Sequence, residues 1–434
     1  MLTLSARPCA LAPGRRPDRV VRRPRFSVLL LILLGAAARP LAYAADTPSF
    51  NALLQQSQAR APQLLEQAAN VQAASADARQ AGAWLNPTLG ASLENLGAPR
   101  SDGMSQRQDT YTVTQVFEWG GKRAARVNAG QGMALAAGAR ERQVRLAFSA
   151  ELALAYAAAE AMQQRQLLAD EDLARAGDEL RAAAALVQAG REAQLRLAQA
   201  RASVATAQAA VALAGADATE ALGRLAALSG VNEPFTRIDH PFLSIVASPR
   251  LKPDWIPDDA PALAAATAER DAIAAQVTVE EKRSLPDVAV TLGMRKFGWS
   301  DEKAATVGIT ATVPLFDRNQ AGVDGARARA ASASMRLEAA RLDVQTRRRA
   351  AIGQVTAAER RLEAAEQGEA AGAEAYRLGR VGYDAGKTAM LELQAIRHAL
   401  SEATALTIDA RLARVRALAN LSLAEGRNLF GEAP

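Results

Sequence analysis

Two stretches of the sequence, residues 122–189 and 320–385, run for 68 and 66 residues with scarcely a helix breaker. At 1.5 Å per residue, each predicts a continuous helix of about 100 Å, far longer than a globular domain requires. Alanine supplies much of the apolar content, whereas aromatic residues make up only 4% of the chain. Because alanine favours helix and fills wide cores poorly, the composition predicts long helices that pack closely against one another.

Shorter predicted helices accompany each long one. Residues 50–83 and 262–283 precede the strands described below, and residues 191–229 and 387–428 follow a glycine turn. In each half of the chain, the two short helices together are about as long as the continuous helix. We therefore expect the short helices to stack end to end beside the long ones.

A two-residue alternation of apolar and polar side chains lies just before each long helix. The pattern predicts four amphipathic strands, at about residues 85–96, 108–118, 286–296 and 305–315. The loops that join the paired strands are polar and contain glycine. A strand of about ten residues matches the length of a tilted membrane strand.

The two halves of the chain are similar in sequence at an offset of 196 residues, at which Gly190 matches Gly386. Each half has the same predicted order of helix, strand, loop, strand, long helix, tight turn and helix. The proline-dense segment between the halves is either a plain linker or a small belt around the helices. The predicted segments are a first repeat at 45–230 with a helical hairpin at 122–229, a connector at 231–261, and a second repeat at 262–434 with a helical hairpin at 320–428.

Residues 1–44 predict a cleaved signal peptide, because arginines flank an apolar run at 26–38 that ends near Ala42-Tyr43-Ala44. The whole chain carries a net charge of +6 and residues 1–45 carry +7, so the mature chain carries about −1. This balance removes the reason to expect a nucleic-acid partner. Cys9 leaves with the leader, so the mature chain is expected to hold neither a disulfide nor a lipid anchor.

Four amphipathic strands on an exported chain indicate a shared membrane barrel. Trp119 and Phe316 lie at equivalent strand ends, where interfacial aromatic residues collect. The smallest membrane barrels have about eight strands, and an open sheet edge in lipid leaves backbone groups unpaired. Two copies of the chain would supply eight strands and three would supply twelve. The alternative is an ordinary sheet in a soluble periplasmic coiled-coil adaptor or scaffold.

The stretches QVFEWGGKR at 115–123 and VPLFDRNQAG at 313–322 resemble the junctions at which strands of the TolC family of trimeric outer-membrane efflux channels turn into the helical tunnel. Together they look most like the branch that serves heavy-metal cation efflux of the cobalt–zinc–cadmium type. The resemblance implies a mainly helical fold with membrane strands. A twelve-stranded outer-membrane β-barrel, four strands from each protomer of a homotrimer, would continue into a periplasmic helical barrel.

The same resemblance implies a passive export conduit from the periplasm to the outside. Its partners would be outer-membrane lipid, a periplasmic adaptor protein and an inner-membrane pump of the resistance–nodulation–division class. A drug or type I secretion conduit of the same fold is the alternative. No catalytic motif, cofactor site or phosphate loop is recognisable, and the two histidines, His240 and His398, lie in different regions without metal-ligand spacing. We therefore expect no enzymatic activity, cofactor or dedicated metal site.

The junction residues have plain physical roles. Gly120 and Gly121 can take backbone angles that other residues avoid, which a strand-to-helix corner needs. Pro314 cannot donate to a sheet and fits near the end of a strand. Trp119 and Phe316 would mark the membrane boundary.

The stretches QAGREAQLRLAQAR and YDAGKTAMLELQAIR resemble the family's periplasmic hairpin tips, which meet the adaptor and close the tunnel like an iris. Gly190 and Gly386 would supply the left-handed turn residue. Glu392 is either a solvated surface residue or a member of a carboxylate ring that favours cations. Arg196 corresponds to it in the first half and would pair with it to hold the gate shut. The predicted tip residues are Gly190, Arg191, Arg196, Gly386, Lys387, Leu391 and Glu392.

Overall fold

Seven helices and four strands make up the part of the chain that the computed structural model describes, residues 47–244, 246, 255–256, 260–300 and 302–430. The predicted signal peptide lies outside these residues. The elements are α1 (Phe50–Gln58), α2 (Pro62–Ala81), β1 (Thr88–Glu94), β2 (Gln108–Phe117), α3 (Lys122–Gln188), α4 (Gln194–Ser229), α5 (Pro261–Arg283), β3 (Asp287–Phe297), β4 (Lys303–Thr312), α6 (Gln320–Asp384) and α7 (Met390–Glu425).

The long helices α3 and α6 are continuous over 67 and 65 residues. The segment predicted as one helix over 50–83, in contrast, is divided into α1 and α2. Ala61 takes extended angles (φ −64°, ψ 120°), and Pro62 is the first residue of α2. Proline disfavours helical angles at the residue before it, whereas its missing N–H costs nothing in a first turn. The prediction of a single helix is therefore wrong, and Pro62 is the sequence signal for the break.

In the first half of the chain, the short helices α4 and α2 meet end to end, as the length comparison predicts. A Cβ built on Gly230, which follows α4, would lie 2.5 Å from the carbonyl oxygen of Arg60 at the break before α2. Both α2 and α4 pack on α3, and both α5 and α7 pack on α6. Each continuous helix is thus covered along its length by two shorter ones.

The four strands form one antiparallel sheet in the order β1-β2-β3-β4. Two strand ends differ from the predicted bounds by three residues, and the others agree to within two. β1 begins at Thr88 rather than at about 85, after Pro87, and β4 ends at Thr312 rather than at about 315, before Pro314. Proline has no N–H to donate to the ladder, so the prolines limit both strands.

The register of the sheet separates its side chains into two chemically different faces. Leu89, Val113, Leu292 and Val307 form one row across all four strands. Because side chains alternate along a strand, the two neighbouring rows on the opposite face consist of threonine and glycine. On that face the hydroxyls of Thr114 and Thr291 lie 2.9 Å apart and share a hydrogen bond. The apolar face is exposed within one protomer: Leu292 is 56% exposed and Val307 is 74% exposed.

The main core lies around the middle of the helices, away from the sheet. Four rings meet there, those of Phe50, Tyr156, Phe242 and Phe430, with centroids 4.8–6.5 Å apart. We call this set the aromatic cluster. In a chain so poor in aromatic residues, it concentrates most of the wide side chains of the core in one layer.

Residues 235–243 of the connector, which we call the belt, are hydrogen-bonded to α3. The side-chain oxygen of Gln163 accepts the Ile238 N–H (2.8 Å), and its amide nitrogen donates to the Ile238 carbonyl (3.1 Å). Glu160 Oε2 accepts the N–H groups of Phe242 (2.8 Å) and Leu243 (2.9 Å). The described part of the connector is therefore packed on the helices rather than extended as a plain linker.

Candidate functional site

The first strand-to-helix corner depends on two glycines. Gly120 and Gly121 have φ of +71° and +76°, and Gly121 is the residue that precedes α3. A Cβ on Gly120 would collide with the side chain of Leu285. Lys282 Nζ donates to the Gly120 carbonyl oxygen at 2.6 Å. The corner is thus fixed by residues that follow or end α5 in the other half of the chain.

The second corner uses an asparagine where the first uses a glycine. Asn319 precedes α6 with φ +53°, a region that asparagine tolerates better than most residues. Its amide nitrogen donates to the carbonyl oxygen (2.9 Å) and the carboxylate (2.8 Å) of Glu280. Hydrogen bonds from Asn319, and then from Arg283, lower the pKa of Glu280. Sequence reasoning named Pro314 and Phe316 here but missed Asn319.

Two ion pairs lie beside the first corner. Lys122, the first residue of α3, pairs with Asp287, the first residue of β3, at 2.8 Å. Arg126 pairs with Glu118 beside the same corner. The Lys122–Asp287 pair joins a helix of the first half to a strand of the second half, so the two halves share one junction. The Arg126–Glu118 pair lies within the first half.

Exposed aromatic side chains lie next to the corners. Trp119 is 66% exposed and Phe316 is fully exposed. Trp84, just before β1, is 65% exposed, and the guanidinium of Arg123 stacks on its ring at 5.0 Å. Sequence reasoning missed Trp84, although it stands at a strand end like Trp119. The aromatic residues therefore collect at the end of the sheet that joins the helices.

The two hairpin tips have the same backbone geometry. Gly190 and Gly386 both have φ of +70°. At the first tip, the N–H of Gly190 bonds the Val187 carbonyl and that of Arg191 bonds the Leu186 carbonyl. The N–H groups of Gly386 and Lys387 make the matching pair of bonds at the second tip. Both are Schellman turns, in which a left-handed glycine ends a helix.

The side chains at the tips differ between the hairpins. Glu392 is the third residue of α7, where a negative charge is favoured by the helix dipole, and Arg196 is the third residue of α4. Leu391 is 61% exposed, and Arg191, Lys387 and Glu392 are exposed as well. Within the protomer, Arg196 pairs with Glu192 at 3.7 Å rather than with Glu392, because Glu192 lies one turn earlier on the same hairpin.

A nearly buried ion pair joins the two hairpins behind the tips. Glu179 of α3 and Arg397 of α7 lie 3.0 Å apart, with side chains 10% and 12% exposed. Gln394 donates to the other oxygen of Glu179 at 3.2 Å, and Ser401 donates to Asp172 at 2.6 Å. Sequence reasoning missed this pair, since its members are more than 200 residues apart and nothing local marks them.

The described residues present no metal centre: no three His, Cys, Asp or Glu side chains among them are grouped to hold an ion. His240 and His398 lie in different parts of the fold, on the belt and on α7. No helix in the described part of the chain combines the length and the apolar character that crossing a membrane requires.

Comparison with known proteins gives consistent matches along the chain. The family model described as outer membrane efflux protein matches residues 53–231 and 257–427. The nickel-cobalt-cadmium resistance protein NccC of Alcaligenes xylosoxydans xylosoxydans is 53% identical over 96% of this chain and 94% of its own. The nickel and cobalt resistance protein CnrC of Cupriavidus metallidurans is 54% identical over 94% of this chain and 97% of its own.

A solved structure has a similar fold. The crystal structure of CusC, studied for its folding and transmembrane channel formation, superposes with a TM-score of 0.76. The superposition covers 87% of this chain and 92% of CusC, at 18% sequence identity. At that identity the likeness concerns the fold alone.

Proposed function

This chain belongs to the outer membrane efflux protein family, and from that premise we propose that it is the outer-membrane conduit of a tripartite efflux system for divalent heavy-metal cations. It is an outer membrane protein whose helices extend into the periplasm, with the fold of TolC-like channels. Three copies would pool their strands into one barrel, and their helices would continue it as a tunnel.

The observation that carries the proposal is a sheet that no single protomer can complete. One face is apolar and exposed, the opposite face is rich in hydroxyl groups, and β1 and β4 each leave one edge unpaired. In lipid, every unpaired backbone group costs several kcal/mol, so the edges must pair. β1 and β4 run in opposite directions, and therefore β4 of one copy can extend the antiparallel ladder to β1 of the next.

Twelve strands from three copies exceed the smallest membrane barrels, which have about eight. The threonine-rich face would then line the water-filled interior, and the apolar face would contact lipid. The junction residues Trp119, Gly120, Gly121, Pro314 and Phe316 would lie at the periplasmic boundary, where exposed aromatic residues are favoured. The equal order of elements in the two halves and their equal tip turns support a duplicated unit.

The hairpin tips are the proposed gate and adaptor-docking site. Gly190 and Gly386 set the turns, and Arg191, Lys387 and Leu391 offer exposed side chains to an adaptor. Three copies of Glu392 would form a carboxylate ring at the periplasmic mouth. Such a ring favours cations. Pairing between Arg196 and Glu392 would then take place between copies.

The substrate class comes from the relatives, whose names cite nickel, cobalt and cadmium. A conduit needs no tight ligand set, because an ion must leave as readily as it enters. Energy would come from an inner-membrane pump reached through the periplasmic adaptor.

A growth experiment tests the proposal. Deletion of the gene should sensitise cells to nickel, cobalt and cadmium, and the wild-type gene should restore growth. The variant Val307→Arg, which puts a charge on the apolar face, should fail to restore it, whereas Thr310→Arg on the opposite face should succeed. Sensitivity to antibiotics without any change toward metals would contradict the metal assignment and favour a drug conduit.

A further inference from the structure

The apolar face of the sheet stops at the strand ends that lie farthest from the helices. The last full row across the strands contains Leu93, Asp109, Lys296 and Lys303. The preceding row on the same face contains Ala91, Tyr111, Met294 and Ala305. Given the proposed function, on which this inference rests, the charged row lies where the outer leaflet changes from hydrocarbon to headgroups.

Two lysines are paired directly across strands in that row. Lys296 and Lys303 are opposite one another in the register of β3 and β4. Like charges in this arrangement destabilise a sheet. Neither lysine has an ion pair within the described residues. The carboxylate next to them, Asp109, is engaged by Arg107 through both of its oxygens, at 2.7 and 3.1 Å.

Lys296 lines a polar cleft of about 670 Å³, and Lys303 lies opposite Lys296 on the neighbouring strand. Its lining includes Ser105, Arg107, Asp109, Lys296, Trp299 and Ser300. The rings of Phe297 and Trp299 stack at 4.5 Å, and Trp299 is 44% exposed. The cleft thus combines the cations of Lys296 and Arg107, two hydroxyl groups and an indole with one carboxylate, which already pairs with Arg107.

We propose that this cleft binds the phosphorylated headgroup of a membrane lipid. A phosphate would accept hydrogen bonds from the ammonium groups of Lys296 and Lys303 and from the hydroxyls of Ser105 and Ser300, and it would relieve the repulsion between the lysines. The planar guanidinium of Arg107 suits phosphate oxygens. The acyl chains would lie on the adjoining apolar row, and the Trp299 ring would sit at the headgroup level.

The test uses the purified full-length mature protein, freed of lipid and titrated with short-chain phosphatidylglycerol or phosphatidylcholine. Bound lipid and the number of subunits are read together by native mass spectrometry. Two lysines near a headgroup are worth a preference on the order of tenfold or more for the anionic lipid. The double variant Lys296→Gln/Lys303→Gln should lose that preference, whereas Lys387→Gln, at an exposed lysine of the hairpin tip, should keep it.

A second variant moves the result in the opposite direction. Asp109→Asn removes the carboxylate that engages Arg107, so it should strengthen binding of phosphatidylglycerol. Intact trimers in which the double variant keeps the anionic preference would overturn the lipid site but leave the conduit. Equal competition by inorganic pyrophosphate would also overturn it, as that would indicate a site for soluble anions. Wild-type protein that forms no oligomer would instead count against the proposed function.

Discussion

The belt and the sheet are stabilised in different ways within one chain. Around the belt, Tyr156 is fully buried, and its hydroxyl donates to the carbonyls of Pro48 (3.1 Å) and His240 (3.3 Å). Burial raises the pKa of Tyr156 to about 12. In the sheet, backbone pairing provides most of the contacts. The apolar face is exposed, and β1 and β4 each have one unpaired edge. The belt is complete in a protomer, whereas the sheet would be completed by neighbouring copies and lipid in the proposed barrel.

The buried carboxylate of Glu425, at the end of α7, also has all of its partners within the protomer. Glu425 has no exposed side-chain area and lies between Arg348 (3.1 Å) and Arg427 (3.0 Å). Arg348 in turn stacks over Trp255 at 4.4 Å, and Trp255 Nε1 donates to the Glu425 carbonyl at 3.2 Å. A buried carboxylate is stable only when its charge is compensated in this way. Specific polar contacts therefore link α6, the connector and the end of α7, which are far apart in sequence.

The largest single effect is expected from the aromatic cluster. Phe242→Ala should lower the free energy of unfolding by about 3–5 kcal/mol, since it opens a cavity among three other rings. Phe316→Ala, at a fully exposed ring of the junction, should change it by less than about 0.5 kcal/mol in detergent. Urea unfolding followed by circular dichroism measures both. Equal losses would remove the contrast between the belt and the sheet end.

The effect of a charge added to the sheet should depend on which face carries it. Val307→Arg puts an arginine on the face proposed to contact lipid, where it should cost about 2–4 kcal/mol per protomer near the bilayer midplane. Thr310→Arg, on the opposite face of the same strand, should be tolerated. Outer-membrane fractionation and the yield of oligomer distinguish the two variants. Loss of both, or of Thr310→Arg alone, would contradict the assignment of the faces.

Next in size is Glu160, whose carboxylate receives two belt N–H groups. Glu160→Ala should cost about 1–3 kcal/mol, because it leaves both donors buried and unsatisfied. Glu160→Gln keeps an acceptor oxygen and should cost less. Urea unfolding of the two variants gives the comparison, and equal losses would show that the acceptor is irrelevant.

The raised pKa of Glu160 predicts that the stability of the protein depends on pH. Burial raises the pKa of Glu160, and hydrogen bonds from Leu243 and Phe242 oppose the rise. A carboxyl with a raised folded-state pKa contributes most below its unfolded value of about 4.3, and it loses that contribution as the pH rises through the folded value. The stability of Glu160→Gln relative to wild type should therefore increase from pH 4 to pH 7. A difference independent of pH would contradict the raised pKa.

The smallest effect is expected at the tips. Gly386→Ala should destabilise by about 1–2 kcal/mol because φ is +70° there. Gly353→Ala, inside α6 and equally free of neighbours, should stabilise by about 0.5–1 kcal/mol because alanine favours helix. Thermal unfolding of the two variants should shift in opposite directions. Shifts of the same sign would argue against the left-handed turn.

Local patterns predicted the regular elements well. The alternation around Leu89 and Val307 and the uninterrupted run of α3 contain their own signal, since strand and helix periods are local. The break before Pro62 and the left-handed Asn319 were also readable, but they were overlooked. The pairs Glu179–Arg397 and Glu160–Leu243 were not readable, because a charged residue on a helix looks the same in sequence whether it faces water or a distant segment.

The pairing of sheet edges between copies is tested most directly by cross-linking β1 to β4. In a Cys9→Ser background, the double variant Ala91→Cys/Val307→Cys places one thiol on each edge strand, on the same face. Treatment of outer membranes with a short bismaleimide should give a covalent trimer on a denaturing gel, and neither single variant should. In the control Val113→Cys/Leu292→Cys, the two cysteines are paired within one protomer. This control should consume both thiols but still run as a monomer on the gel. Reaction of the control together with only monomers for the edge pair would contradict the shared barrel.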